Sequence, residues 1–297
     1  MLPMEFAACW RHTPCFSRTA DPVKRCRPLL GTFVEIESDI GAALDLAFAA
    51  VERVQTLMSA HHRDSELSRI NRGAHRHPVA VSAWTLEVIE RSLDWSRASD
   101  GRFDIVRAGR MALACGGLPR HDDQPLPAGA DWTAVQVRDG AVTLARPACL
   151  DLGGIAKGFA VDRAIAALRT AGAAGGMVNA GGDLCCFGDS AWPISVVDPA
   201  SRRPLASIDL IDAALATSAG LPGHDHSLSF DHLPGRDVRW SSVTVRANSA
   251  CDADALTKIV WAGSSEVFDL LHQHGAEAFA IRADGLIESI GGEAVTA

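Results

Sequence analysis

Two adjacent glycines, Gly153 and Gly154, stand between the apolar run Ala148-Cys149-Leu150 and an amphipathic stretch that opens at Lys157. A glycine pair at the join of a strand and a helix restricts a fold strongly, because backbone without Cβ takes positive φ and lets another group come close. The spacing predicts a helix over about 157–169, with Val161, Ala164, Ile165 and Leu168 inward. Its start offers unpaired N–H groups and a partial positive charge, and Lys157 adds a full one. Together these suit a phosphate or a pyrophosphate; the plainer reading is a strand-to-helix turn. The pattern is neither G-x-G-x-x-G nor a Walker loop, so neither a Rossmann unit nor a P-loop follows from it.

Periods of two and of 3.6 alternate along the rest of the chain. Residues 1–27 read as a poorly ordered tail, and a single domain is expected over 28–297. Thr32 to Glu37 alternates like a half-buried strand. Leu44, Ala47, Phe48, Val51, Val54 and Met58 make one helical face. Residues 59–77 read as a loop, and a second helix is expected after Ser82 with Leu86, Ile89 and Leu93 inward. Gly116 to Ala130 reads as a linker or loop. Val135 to Leu144 turns on Asp139-Gly140 as a hairpin, and Phe279 to Ile287 repeats that logic around Asp284-Gly285. Short strands are expected at 194–197, 207–211 and 242–246, and a fourth helix over about 253–261. The class is α+β or mixed α/β, with antiparallel hairpins and packed helices.

Composition narrows the functions. The 297 residues carry 28 basic and 36 acidic side chains, a formal charge of −8, with 47% hydrophobic residues. This is a globular composition, and its sign argues against general binding along a nucleic-acid backbone. An anionic ligand must therefore be drawn by local cations or N–H groups. No stretch approaches the ~20 apolar residues of a membrane helix. Residues 1–10 lack the pattern of a secretory signal, so a cytoplasmic protein is expected, or a periplasmic one if the true start lies upstream. The eight Cys form no paired CxxC ladder, and reduced, mostly buried thiols are expected. The chain has no Tyr, a common amphipathic ring in ligand sites.

Two further segments join the glycine loop. Asn179-Ala180-Gly181-Gly182-Asp183 places a second glycine pair after the third helix. Ala253-Asp254-Ala255-Leu256-Thr257-Lys258 opens the fourth helix, with Asp254 and Thr257 one turn apart. A carboxylate, a hydroxyl and backbone carbonyls form the oxygen environment that Mg²⁺ prefers; the alternative for Asp254 is a first-turn acid.

In this order the segments resemble the ApbE-like FAD:protein FMN transferases. The resemblance runs from about Leu30 to Gly263. It takes in Leu30-Gly31-Thr32, Met58-Ser59, the stretch Asp64 to Asn71, and Gly101-Arg102-Phe103-Asp104. Asp151 to Asp162, Asn179 to Asp183 and Ala253 to Thr257 complete it. It implies a T-fold-type flavin transferase architecture. It also implies FAD as substrate, Mg²⁺ as cofactor, and transfer of the FMN half to a Thr or Ser hydroxyl of an acceptor protein with release of AMP. Carried over, Leu30, His61, Arg102, Phe103, Asp104, Asp151, Gly153 and Lys157 line the nucleotide. The Gly154 carbonyl and the Asp254 carboxylate hold the metal, with Thr257 as a further ligand. Such chemistry rests on positioning and charge neutralisation, and a base must take the hydroxyl proton.

Three departures from the family pattern stand out. Lys258 replaces a metal-binding Thr, and its ammonium either displaces the metal or neutralises the pyrophosphate itself. The family's His-x-x-Asp-Pro-x-x-Gly segment is degraded within residues 217–240, leaving His226 or His232 as the base. His61 replaces the aromatic that covers the flavin, with His62 beside it. Besides protein flavinylation, an FAD pyrophosphatase or an FAD-binding protein without turnover fits these residues.

Overall fold

The computed structural model describes residues 22–121, 123–127, 129–220, 240–263, 266–282 and 284–290. Its strands are β1 (Val23–Leu29), β2 (Thr32–Ser38), β3 (Val79–Ala80), β4 (Val135–Arg138), β5 (Ala141–Leu144), β6 (Gly176–Ala180), β7 (Asp183–Phe187), β8 (Trp192–Val197), β9 (Pro204–Leu210), β10 (Ala214–Ala219), β11 (Trp240–Ala247), β12 (Glu277–Arg282) and β13 (Ile287–Ile290). Its helices are α1 (Ala43–Met58), α2 (Glu66–Gly73), α3 (Ala83–Ala98), α4 (Ile105–Ala114), α5 (Ala156–Thr170), α6 (Ala250–Ala262) and α7 (Val267–Gln273).

Eight strands form one antiparallel sheet in the order β1-β2-β6-β7-β10-β11-β12-β13. Strand alternation sorts its residues between two faces. Val34 and Ile36 of β2, Cys185 and Phe187 of β7, and Val243 and Val245 of β11 join the main core with α1, α5 and α6. Leu184, Cys186 and Leu215 point the other way, into a small cluster under the β8–β9 hairpin. The same alternation puts Asp183 and Ser218 on the helix-bearing face. The α1 positions expected to face inward are all buried.

α6 is the centre of the core. Every residue of it except Asp252 is buried, so it is enclosed on all sides. Burying Leu256 and Ile259 contributes about 1.5–3 kcal/mol each. α5 meets the start of α6 backbone to backbone at Gly158, where a Cβ would lie 2.1 Å from the Ala250 carbonyl oxygen. One turn further along α5, Asp162 accepts the N–H groups of Ala250 (2.8 Å) and Cys251 (2.9 Å). Burial pushes its carboxyl up to about 6, against the pull of those two donors.

Several expectations change. β1 includes Val23 to Arg27, which the sequence reading placed in the tail, because these residues pair with β2 from Val23↔Ser38 to Leu29↔Thr32. The loop expected over 59–77 contains α2: Ser65 caps it by accepting the Ser68 N–H, and Leu67 and Ile70 are buried. α4 is likewise a helix that the reading lacked. The glycine pair Gly181-Gly182 is the turn between β6 and β7, since Ala180 pairs with Asp183. No described helix is long and apolar enough to cross a membrane.

Candidate functional site

At the start of α5, Asp151 shapes the glycine loop by accepting the Gly153 N–H at 2.8 Å. The strand-like approach to that loop is pinned from α2, where the buried Asn71 exchanges two hydrogen bonds with the Leu150 backbone, at 2.8 and 3.0 Å. The N-cap residue Ile155 makes no side-chain cap on α5; of the first-turn N–H groups, that of Ala156 goes to the Leu152 carbonyl at 2.8 Å and that of Gly158 to a carboxylate of α6.

Lys157, in that first turn, pairs through Nζ with Asp183 at the start of β7. On α6, Lys258 pairs through Nζ with Asp254 one turn before it. The other Asp254 oxygen accepts the Gly158 N–H at 3.3 Å. Two lysines and two aspartates thus form one buried network across α5, α6 and β7. The Lys157 side chain is 31% exposed and that of Lys258 only 9%, so the first borders solvent and the second lies inside.

The electrostatics follow from this placement. Burial and then the Asp254 carboxylate hold Asp183 above the usual carboxylate range. Asp254 is also pushed up by burial, yet Lys258 and then Lys157 hold it below that range. For Lys157, burial pulls down, but Asp183 and Asp254 outweigh it and leave the amine well above its ordinary value.

Around the network, Gly154 supplies bare backbone. A Cβ there would lie 3.4 Å from Lys258 Cε and 3.5 Å from Phe103 Cε2, so the loop, the lysine stem and this ring pack together. Thr257 Oγ1 donates to the Asp254 carbonyl at 2.7 Å and lies 2.7 Å from Ser218 Oγ on β10.

The structure therefore gathers Phe103, Gly154, Lys157, Asp254, Thr257 and Lys258 from the residues expected in the site, with Gly153 and Asp151 shaping the loop beside them. Other expected residues have different surroundings. Asp104 caps α4 by accepting the Val106 and Arg107 N–H groups, both at 2.9 Å. Its second oxygen is buried without a hydrogen-bond partner, 3.9 Å from Arg107 Nε. Arg102 donates to the Ser99 carbonyl and lies 3.7 Å from Glu266. Leu30 forms the β1–β2 turn with Gly31, at φ +56° and +71°, and gives its N–H to Gln55. His61 and His62 are exposed. His226 and His232 lie outside the described residues.

Asp183 and Ser218 were missing from the residues assigned to the site. Asp183 closes the Asn179–Asp183 motif, but its pairing with Lys157 comes from the sheet order. Ser218 reaches Thr257 by strand alternation alone.

The oxygen set expected to hold Mg²⁺ does converge, but around an ammonium. One Asp254 oxygen is paired with Lys258, the other accepts an N–H, and the Thr257 hydroxyl proton is committed to a carbonyl. A divalent ion about 4 Å from the ammonium is repelled by about 8 kcal/mol at an effective dielectric constant of about 20. With Lys258 in this position the residues do not fit a divalent cation. Among the described residues no group of three or more His, Cys, Asp or Glu is placed to hold a metal.

Known proteins show the family and the fold. The FAD:protein FMN transferase of Vibrio cholerae is 29% identical over 230 residues, 69% of this chain and 69% of that protein. That of Klebsiella pneumoniae is 29% identical over 237 residues, 72% of this chain and 73% of that protein. The crystal structure of the ApbE protein from Thermotoga maritima superposes with a TM-score of 0.77 at 26% identity, covering 91% of this chain and 97% of that one. The flavin transferase ApbE from Vibrio cholerae has the same fold, with a TM-score of 0.74 at 23% identity over 91% of this chain and 96% of its own. The sequence model of the ApbE family matches residues 30–291, and the chain belongs to that family.

Proposed function

We propose that this protein transfers the FMN half of FAD to a Thr or Ser hydroxyl of an acceptor protein and releases AMP. The observation that carries the reading is the glycine loop running into α5, with Lys157 in the first turn of the helix and the Lys258 stem beside Gly154. Bare backbone, a helix start and two ammonium groups form a cradle for a pyrophosphate. The relatives named FAD:protein FMN transferase supply the nucleotide and the reaction class.

In this reading the acceptor oxygen attacks the phosphorus of the FMN half. A new P–O bond forms there, the bond to the bridging oxygen breaks, and that oxygen leaves with AMP. The hydroxyl proton passes to a base, the role read from the sequence for His226 or His232. Lys157, which borders solvent, draws the anion to the loop and neutralises charge that builds on the leaving phosphate. Asp183 keeps the Lys157 ammonium protonated and oriented. Asp254 holds Lys258 and also the Gly158 N–H, tying the cation to the α5–α6 contact. Phe103 lends an apolar wall that keeps water from the phosphorus side of the loop. Mg²⁺, which the resemblance implies, enters no step while Lys258 occupies the Asp254 carboxylate.

Incubation of the protein with FAD and a candidate acceptor domain, followed by in-gel flavin fluorescence and AMP assay, tests the proposal. Equimolar AMP and labelled acceptor are expected. AMP without label identifies an FAD pyrophosphatase, and bound FAD without AMP a carrier. Absence of FAD binding overturns the reading. Lys157→Met is expected to weaken FAD binding at least tenfold, measured by quenching of flavin fluorescence.

A further inference from the structure

We propose that the Lys258 ammonium replaces the divalent cation of this site, so that the chain binds FAD and acts on it without metal. The inference rests on the flavin transferase reading and gives its site a different cation.

Three observations carry it. First, Lys258 lies one helical turn after Asp254 on a helix enclosed on all sides, and its Nζ pairs with the carboxylate that a cation would need. Second, the lysine stem lies against the glycine loop, with Cε 3.4 Å and Phe103 Cε2 3.5 Å from the point where a Cβ on Gly154 would lie. A larger residue at 154 would crowd both. The ammonium is thereby held beside the backbone that was expected to offer its carbonyl to the metal. Third, the remaining hydroxyl of the set is used internally, since Thr257 donates to the Asp254 carbonyl and meets Ser218.

The groups that face Lys258 therefore already satisfy a monovalent cation. Asp254 supplies the counter-charge, and Lys157 with Asp183 forms a second balanced pair next to it. An arriving pyrophosphate takes ammonium hydrogen bonds from Lys258 and Lys157 in place of metal coordination. These bonds are charge-assisted and suit phosphate oxygens as acceptors. A lysine contributes a point charge with three donors, half the charge of a divalent ion, and Lys157 in the first turn of α5 supplies a second ammonium.

Mn²⁺ is the probe, titrated into the full-length wild-type protein and into Lys258→Thr, with bound ion read by electron paramagnetic resonance and folding checked by circular dichroism. FAD affinity is measured in parallel with and without EDTA. The wild-type chain is expected to bind no stoichiometric Mn²⁺, and its FAD affinity to change less than twofold with EDTA. Lys258→Thr is expected to bind one Mn²⁺ per chain, to lose it on adding Asp254→Asn, and to lose at least tenfold in FAD affinity with EDTA. One Mn²⁺ bound by the wild type and lost in Asp254→Asn overturns the proposal. So does a wild-type FAD affinity that collapses in EDTA, or a folded Lys258→Thr that binds no Mn²⁺. If Lys258→Thr does not fold, the two wild-type measurements decide alone. The Mn²⁺ readout needs no flavin: a wild type that binds neither Mn²⁺ nor FAD, beside a variant that binds Mn²⁺, defeats the transferase reading and leaves the metal replacement standing. FAD binding that requires metal does the reverse.

Discussion

Ser218 and Thr217 are neighbours on β10, yet they belong to different environments. Ser218 points to the helix-bearing face and meets Thr257 at 2.7 Å in a buried contact beside the charged network. Thr217 points the other way and pairs with Thr244 at 2.9 Å, on the wall of a cavity of about 440 Å³ under the β8–β9 hairpin. One face is closed by α1, α5 and α6, with backbone contact at Gly158; the other is covered by a two-stranded hairpin that leaves a void. Two lysines and two aspartates stay in register only where close-packed helices leave them no alternative arrangement.

The largest effect should come from breaking the network itself. Asp254→Ala leaves the Lys258 ammonium buried without its partner, at a cost of about 3–5 kcal/mol, measured by urea unfolding, and AMP release should disappear. Unchanged release would remove Asp254 from the site. Next, Gly158→Ala forces a methyl into the Ala250 carbonyl and should cost about 3 kcal/mol through separation of α5 from α6, again by urea unfolding.

A pH series sharpens the comparison further, because α5 also holds α6 through Asp162. With its carboxyl at about 6 in the folded chain and 3.8 as the ordinary value, the folded state keeps a proton that the unfolded chain has released. This contribution is present below about pH 4 and is lost as pH rises through 6. The difference in stability between wild type and Asp162→Asn should therefore change by about 1–3 kcal/mol between pH 4 and pH 7, to the disadvantage of the wild type. A constant difference would place Asp162 outside this account. The smallest effect belongs to the looser face: Ile194→Ala, half-buried beside the cavity, should cost about 1 kcal/mol or less and leave AMP release as it is.

The same contrast explains what could be read from the chain alone. α1 was legible because its apolar steps of three and four residues all serve one buried face. α2 was not, because Glu66, Arg69 and Arg72 surround a stripe of only Leu67 and Ile70, and capping by Ser65 decides the matter. In the site, Lys157, Gly154 and Asp254 were legible from local motifs. The partnership of Lys157 with Asp183 was not, because the two are brought together by the sheet and not by sequence spacing. Lys258 was visible as an anomaly, and only packing shows that its ammonium lies on the Asp254 carboxylate. Asp104 was legible as part of a motif, but not its place at the start of α4, where one carboxylate oxygen accepts two N–H groups.

The most direct test of the central claim is intact-mass analysis of an acceptor domain after incubation with the protein and FAD in EDTA, with AMP measured in the same tube. The account expects the acceptor to gain one FMN through a Thr or Ser oxygen, with one AMP released for each modified chain. An acceptor of unchanged mass and no AMP in EDTA would contradict it: labelling restored by Mg²⁺ overturns the metal-free site, and no labelling in either case overturns the transferase reading.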